Sequence, residues 1–142
     1  DRGLAYGDGL FETLLVRHGQ PRLLDDHLLR LRHGCARLGI SYEEAPLVEE
    51  LLAFCAELGD GVAKLILTRG DGLRGYAWPV EARSRRVLLG SSLPAYPTAH
   101  AELGIELFPC ALRLAEQPLL AGLKHLNRLE QVLARAEWQD FR

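Results

Sequence analysis

Methionine is absent from the 142 residues, and lysine occurs only twice, at Lys64 and Lys124. A chain that starts at Asp1 without a methionine is expected to be a piece of a longer polypeptide. Residues 134–142 point the same way, because they are still helix-like and meet no Gly or Pro stop. Cysteine is scarce. Cys35, Cys55 and Cys110 form an odd set at long spacings, which excludes a zinc-ligand pattern and a disulfide scaffold. Cys35 and Cys55 fall on apolar helix phases, as expected for buried thiols in a reducing cytoplasm. No apolar run approaches the roughly 18 residues needed to cross a bilayer, so no membrane partner is expected. An excess of one charge is missing too. Seventeen basic side chains face 19 acidic ones, for a net charge of -2, which is a poor match to the nucleic-acid backbone. The five histidines are far apart, and the nearest pair, His27 and His33, falls on different helix faces. No metal cluster is expected.

What is present is 48% hydrophobic and 25% charged. That suits one globular domain, or one domain with the start of a second. A chain of this length buries roughly 68–70% of its unfolded surface and needs no covalent staple.

Residues 10–16 form a β-compatible apolar run, His18-Gly19-Gln20 a turn, and residues 21–24 the return of a hairpin. Asp25 or Asp26 is the expected N-cap of a helix whose stripe is Leu28, Leu31, Cys35 and Leu38, with Gly39 at its C-terminal stop. A second helix is expected with Pro46 at its first position and Val48, Leu51, Leu52 and Cys55 on its apolar face. Residues 62–68 read as a strand, 69–76 as a glycine-rich loop, and 85–91 and 104–113 as further strands. Residues 115–123 look like a connector, and 125–140 like a helix with Leu129, Val132, Leu133 and Ala136 on one side. The order predicts an α+β fold with a mostly antiparallel sheet and flanking helices. The domain reading is 1–114, a linker at 115–123, and the start of a second domain at 124–142.

Three places could carry chemistry. Lys124 lies after an apolar connector and just ahead of the last predicted helix. A helix N-terminus and the cations His125 and Arg128 would favour its neutral, nucleophilic amine. Arginine cannot form an imine, so an imine-forming site must keep its lysine. The alternative is a surface lysine near a domain junction. Arg30 lies off the apolar stripe, one turn after His27, where a guanidinium could grip a phosphate. The alternative there is a solvated polar face with Arg32, His33 and Arg37. Arg74, in the glycine-rich loop, could bind a substrate carboxylate, or the loop could be a bare hairpin tip. Lys64 is expected to point outward from its strand, and Asp8 to be a turn residue.

Four segments, in order along the chain, resemble the class IV pyridoxal-phosphate enzymes, a family that includes branched-chain and D-amino-acid aminotransferases and aminodeoxychorismate lyases. They are residues 1–13 (DRGLAYGDGLFET), 27–31 (HLLRL), 74–76 (RGY) and 122–131 (GLKHLNRLEQ). The lysine segment is most similar to that of the lyase branch. The resemblance implies the N-terminal α+β domain of that fold plus the start of a larger C-terminal domain. It implies pyridoxal 5'-phosphate as cofactor, with Lys124 carrying it and Arg30 contacting its phosphate. It implies Arg74 as the anchor of a substrate carboxylate, a small-molecule substrate, and a cytoplasmic homodimer. The expected activity is a lyase reaction of folate biosynthesis, with an aminotransferase or an inactive fragment as alternatives. In this family the acidic partner of the cofactor's ring nitrogen lies beyond the lysine segment, so residues 1–142 are expected to hold about half a site.

Overall fold

The structure, a computed structural model, describes residues 1–138. Its elements in chain order are α1 (Arg2–Tyr6), β1 (Gly9–Arg17), β2 (Gln20–Pro21), α2 (Leu24–Leu38), α3 (Glu44–Leu58), β3 (Gly61–Thr68), β4 (Arg85–Ser91), α4 (Ala99–Leu103) and α5 (Leu129–Ala136). The four strands form one antiparallel sheet in the order β2-β1-β3-β4. The expected α+β architecture is therefore present.

The chain divides into two compact units. The first is Asp1–Leu93 with Gly122–Leu126, and it carries the sheet and α1 to α3. Its core follows from the period of two along the strands. Leu10, Leu14 and Val16 of β1 and Ala63, Leu65 and Leu67 of β3 share one buried face. Leu28, Leu31 and Cys35 of α2 and Leu47, Leu51 and Cys55 of α3 belong to the same core. Gly34 lets α2 come close to β1, because a Cβ there would sit 2.7 Å from Leu10 Cδ1. The opposite face of the sheet carries Phe11, Leu15, Lys64, Ile66, Val87 and Leu89, of which Leu15, Val87 and Leu89 are exposed.

Several local expectations need correction. α2 starts at Leu24, with Leu23 before it in the left-handed region, so Asp25 and Asp26 are first-turn residues rather than caps. There they still oppose the positive end of the helix dipole. Pro46 is the third helical residue of α3, not the first. The first turn has no intrahelical acceptor for its N–H groups, so a proline is tolerated there. The buried stripe of α3 includes Leu47, while Leu52 is exposed.

The second unit comprises Pro94–Ala121 and the described residues from Asn127 onward. The strand expected over 104–113 is not formed; those residues have no regular structure and are mostly exposed. Pro109 interrupts any ladder there. The N–H groups of Ala111 and Leu112 donate instead to the Glu137 carboxylate, at 2.6 and 2.9 Å. The expected helix is present as Leu129–Ala136, and its predicted end at 139–140 lies outside the described residues.

Candidate active site

Lys124 does not sit in the first turn of a helix, since α5 begins only at Leu129. It is held by β1. Leu10 and His125 form an antiparallel bridge. Phe11 N donates to the Lys124 carbonyl at 2.9 Å, and Leu126 N to the Gly9 carbonyl at 3.0 Å. Gly9 makes room for this segment, because a Cβ there would lie 2.8 Å from Leu126 Cδ1. The pairing fixes the lysine backbone against the start of β1. Lys124 Nζ lies 4.5 Å from the centre of the Phe11 ring. Lys64, reaching from β3, places its Nζ 4.9 Å from the same ring. Both lysines of the chain thus converge on one aromatic side chain, an arrangement favoured by attraction between ammonium groups and the ring face.

The next residue of β1 is Glu12. It occupies the inward phase of the strand and is 2% exposed. A carboxylate there needs partners, and α2 supplies them. Arg30 Nε donates to Glu12 Oε1 at 2.8 Å, and its Nη2 donates to Oε2 at 2.5 Å. His27, one turn earlier, has Nδ1 2.7 Å from Oε2. The Glu12 hydrogen bond raises the Arg30 guanidinium above its ordinary pKa, so it is a permanent cation. The Arg30 side chain nevertheless remains 46% exposed. Among the described residues no acceptor takes its Nη1 protons. A guanidinium oriented by a buried carboxylate and still half open to solvent can receive an anion.

Arg30 is therefore not one of a row of interchangeable polar side chains. Lys124 packs on Phe11 and Arg30 on Glu12, consecutive residues of β1 that point to opposite faces of the sheet, and the structure joins the two cations by no described contact. Arg74 lies elsewhere in the first unit. It is exposed in the loop after β3, and the structure does not join it to Lys124 or Arg30 by any described contact.

A second carboxylate, Asp8, lies at the turn into β1. Arg2 Nε and Arg69 Nε both donate to Asp8 Oδ2, at 2.9 and 2.8 Å. Burial works to raise the Asp8 pKa, but the bonds from Arg69 and Arg2 outweigh it, and the carboxyl is held below its ordinary value. Arg69 also donates to the carbonyls of Gly39 and Leu38 at 2.7 and 2.6 Å, tying the end of α2 to this cluster.

Sequence reasoning missed the roles of Glu12, Arg2 and Arg69, and it took Asp8 for a turn residue alone. Glu12 left a signal, a charge on the inward phase set by Leu10, Leu14 and Val16. Among the described residues no group of His, Cys, Asp or Glu is arranged to hold a metal, and no helix is long and apolar enough to cross a membrane. All three cysteines are free thiols; Cys35 and Cys55 are buried, and burial pushes the Cys35 thiol up to about 12.

A primary amine and an arginine able to receive an anion are the kinds of group that suit a phosphorylated aldehyde. The sequence profile of the Amino-transferase class IV family matches residues 9–141, and the chain belongs to that family. It is 72% identical to 4-amino-4-deoxychorismate lyase from Pseudomonas aeruginosa, with a TM-score of 0.95 over 99% of this chain and 52% of that one. It is 40% identical over 140 residues to aminodeoxychorismate lyase of Vibrio harveyi, covering 96% of this chain and 51% of that protein. A D-alanine aminotransferase of Bacillus licheniformis is 35% identical over 82 residues, covering 55% of this chain and 29% of that protein. The chain thus spans about half the length of the two lyases it matches.

Proposed function

We propose that this chain supplies the lysine and one phosphate anchor of a pyridoxal-phosphate-dependent lyase. The reaction would convert 4-amino-4-deoxychorismate to 4-aminobenzoate and pyruvate. The observation that carries the reading is the Arg30 guanidinium, oriented by buried Glu12 yet half open to solvent, on the domain whose first strand also holds the Lys124 segment. The similarity to two lyases supports this reaction within the family.

The residues fit the cofactor by their chemistry. Arg30 offers a permanent cation with unsatisfied N–H groups for a phosphate. Lys124 offers a primary amine for an aldehyde. When bound, pyridoxal 5'-phosphate supplies a conjugated ring that takes up negative charge from the substrate. Lys124 would hold the cofactor through its amine, and its ε-amine, when not so engaged, would take the proton from the amine-bearing ring carbon of the substrate. The enol-pyruvyl oxygen would leave from the adjacent carbon, and the proton held by Lys124 would pass to the departing enolate, giving pyruvate and an aromatic product. Arg74 serves as an anchor for a substrate carboxylate. The working form is a cytoplasmic homodimer. The free thiols support a reducing compartment, and the exposed apolar residues on the outer sheet face support a partner surface.

Borohydride reduction of the full-length protein loaded with pyridoxal phosphate is expected to trap one adduct on Lys124. Lys124→Ala is expected to abolish both the adduct and 4-aminobenzoate formation. A trapped adduct that survives in the variant overturns the assignment. The relation to D-alanine aminotransferase supports a second reading, a transaminase. Release of pyruvate from D-alanine with 2-oxoglutarate, without 4-aminobenzoate from aminodeoxychorismate, would select it.

A further inference from the structure

Arg2 is 5% exposed, although it lies at the start of a five-residue helix. Its burial comes from the loop that follows β3. Arg2 Nη1 donates to the Gly75 carbonyl at 3.1 Å, and Nη2 donates to the Tyr76 carbonyl at 3.2 Å. Its backbone N–H donates to the Gly70 carbonyl at 2.7 Å. The guanidinium also lies 5.0 Å from the centre of the Tyr6 ring, and that ring packs 5.3 Å from Tyr76. Arg2 thus grips both ends of the 70–76 stretch, and its fork closes on the two residues after Arg74.

Asp8 makes the grip rigid. Its carboxylate accepts from Arg2 and also from Arg69, the residue at which the loop begins. The planar guanidinium of Arg2 is therefore fixed at Nε by Asp8 while its two Nη groups face the loop. A lysine could not hold these three positions at once. A loop of this length with four exposed side chains has little packing of its own to fix it. Two backbone carbonyls held by one buried cation supply what packing does not.

We infer that Arg2 is a positioning residue that presets the loop so that Arg74 is aimed at a carboxylate-bearing substrate. The inference rests on the reading of Arg74 as a carboxylate anchor. Arg2 touches neither substrate nor cofactor in this scheme. Its effect reaches the reaction through loop order, so it acts on substrate affinity rather than on the chemical step.

Two variants of the full-length protein test it. Arg2→Gln removes the fork. Gly72→Ala leaves Arg2 in place but crowds it, because a Cβ at 72 would lie 2.9 Å from Arg2 Cδ. Position 72 is exposed, so this second variant keeps its fold. Trypsin cleavage at the Arg74–Gly75 bond reports loop order without reference to activity, because a protease needs a mobile, extended segment. Cleavage there is expected to accelerate about tenfold in Arg2→Gln and less in Gly72→Ala. KM for aminodeoxychorismate is expected to rise about tenfold in Arg2→Gln, with kcat within about twofold. Unchanged cleavage in both variants overturns the clamp. Faster cleavage with an unchanged KM overturns the positioning role. An Arg74→Ala variant separates the layers. If it leaves KM unchanged, the anchor reading of Arg74 has failed and the inference falls with it. If the wild-type protein forms no 4-aminobenzoate, the lyase reading itself has failed.

Discussion

Asp8 and Glu12 lie four residues apart, both largely withdrawn from water and both held by arginine, yet the two clusters are built differently. Around Asp8 the arginines are sealed. The Arg2 and Arg69 side chains are 6% and 4% exposed, and their remaining donors go to backbone carbonyls of the loop and of α2. Around Glu12 the carboxylate is sealed, but Arg30 is not. A guanidinium whose donors all go to the protein holds elements together. One that is oriented by a buried acid and left half open can take a ligand. Hydrogen-bond distances are alike in the two clusters, and the exposure of the cation separates them.

The comparison breaks most visibly at Asp8. Asp8→Ala strands two buried guanidinium groups and is expected to cost about 3–5 kcal/mol of stability, measured by urea denaturation. A loss below about 1 kcal/mol would mean that the sealed cluster holds nothing together. Arg30 sharpens the other side. Arg30→Leu is expected to weaken pyridoxal-phosphate binding by one to two orders of magnitude, about the worth of a charged hydrogen bond. It also strands Glu12, so stability falls with it. The double variant Glu12→Leu/Arg30→Leu removes both charges and is expected to recover most of that stability but none of the affinity. Cofactor binding equal to wild type in the double variant would remove Arg30 from the phosphate site.

The smallest effect is one of pH. The folded Asp8 carboxyl titrates below its ordinary value of 3.8. Its stabilisation is therefore complete above that value and is lost as the pH falls through the folded pKa. Acid unfolding of Asp8→Asn is expected to be less steep than that of the wild type over this range. Parallel acid curves would assign the effect to other carboxylates.

Much of the first unit was legible because its elements carry strong periodic signals. The α2 stripe, β1 and β3 all repeat apolar residues at the spacing their geometry needs, and all three are present; the expected return of the hairpin over 21–24 is cut to Gln20–Pro21, because Leu23 turns left-handed and Leu24 opens α2. The 104–113 segment misled because an apolar run shows strand potential but not the availability of a partner edge. There Pro109 and the Glu137 carboxylate decide the outcome. Lys124 and Arg30 stood out by residue type and family resemblance. The way each is held did not, because hydrogen-bond partners 15 and 18 residues apart, as for His27 and Arg30 with Glu12, leave no mark on local spacing.

The amino-acid order by itself determined the alternation that buries one face of β1, the helical stripes that cover it, and the presence of an amine and a guanidinium suited to a phosphorylated aldehyde. These depend on neighbours within a turn or a strand. Tertiary structure decided that Lys124 lies on Phe11, that Arg30 is oriented by Glu12 and that Asp8 binds Arg2 and Arg69. Contacts between residues remote in the chain depend on how elements dock, and docking is settled by the packing of the whole core.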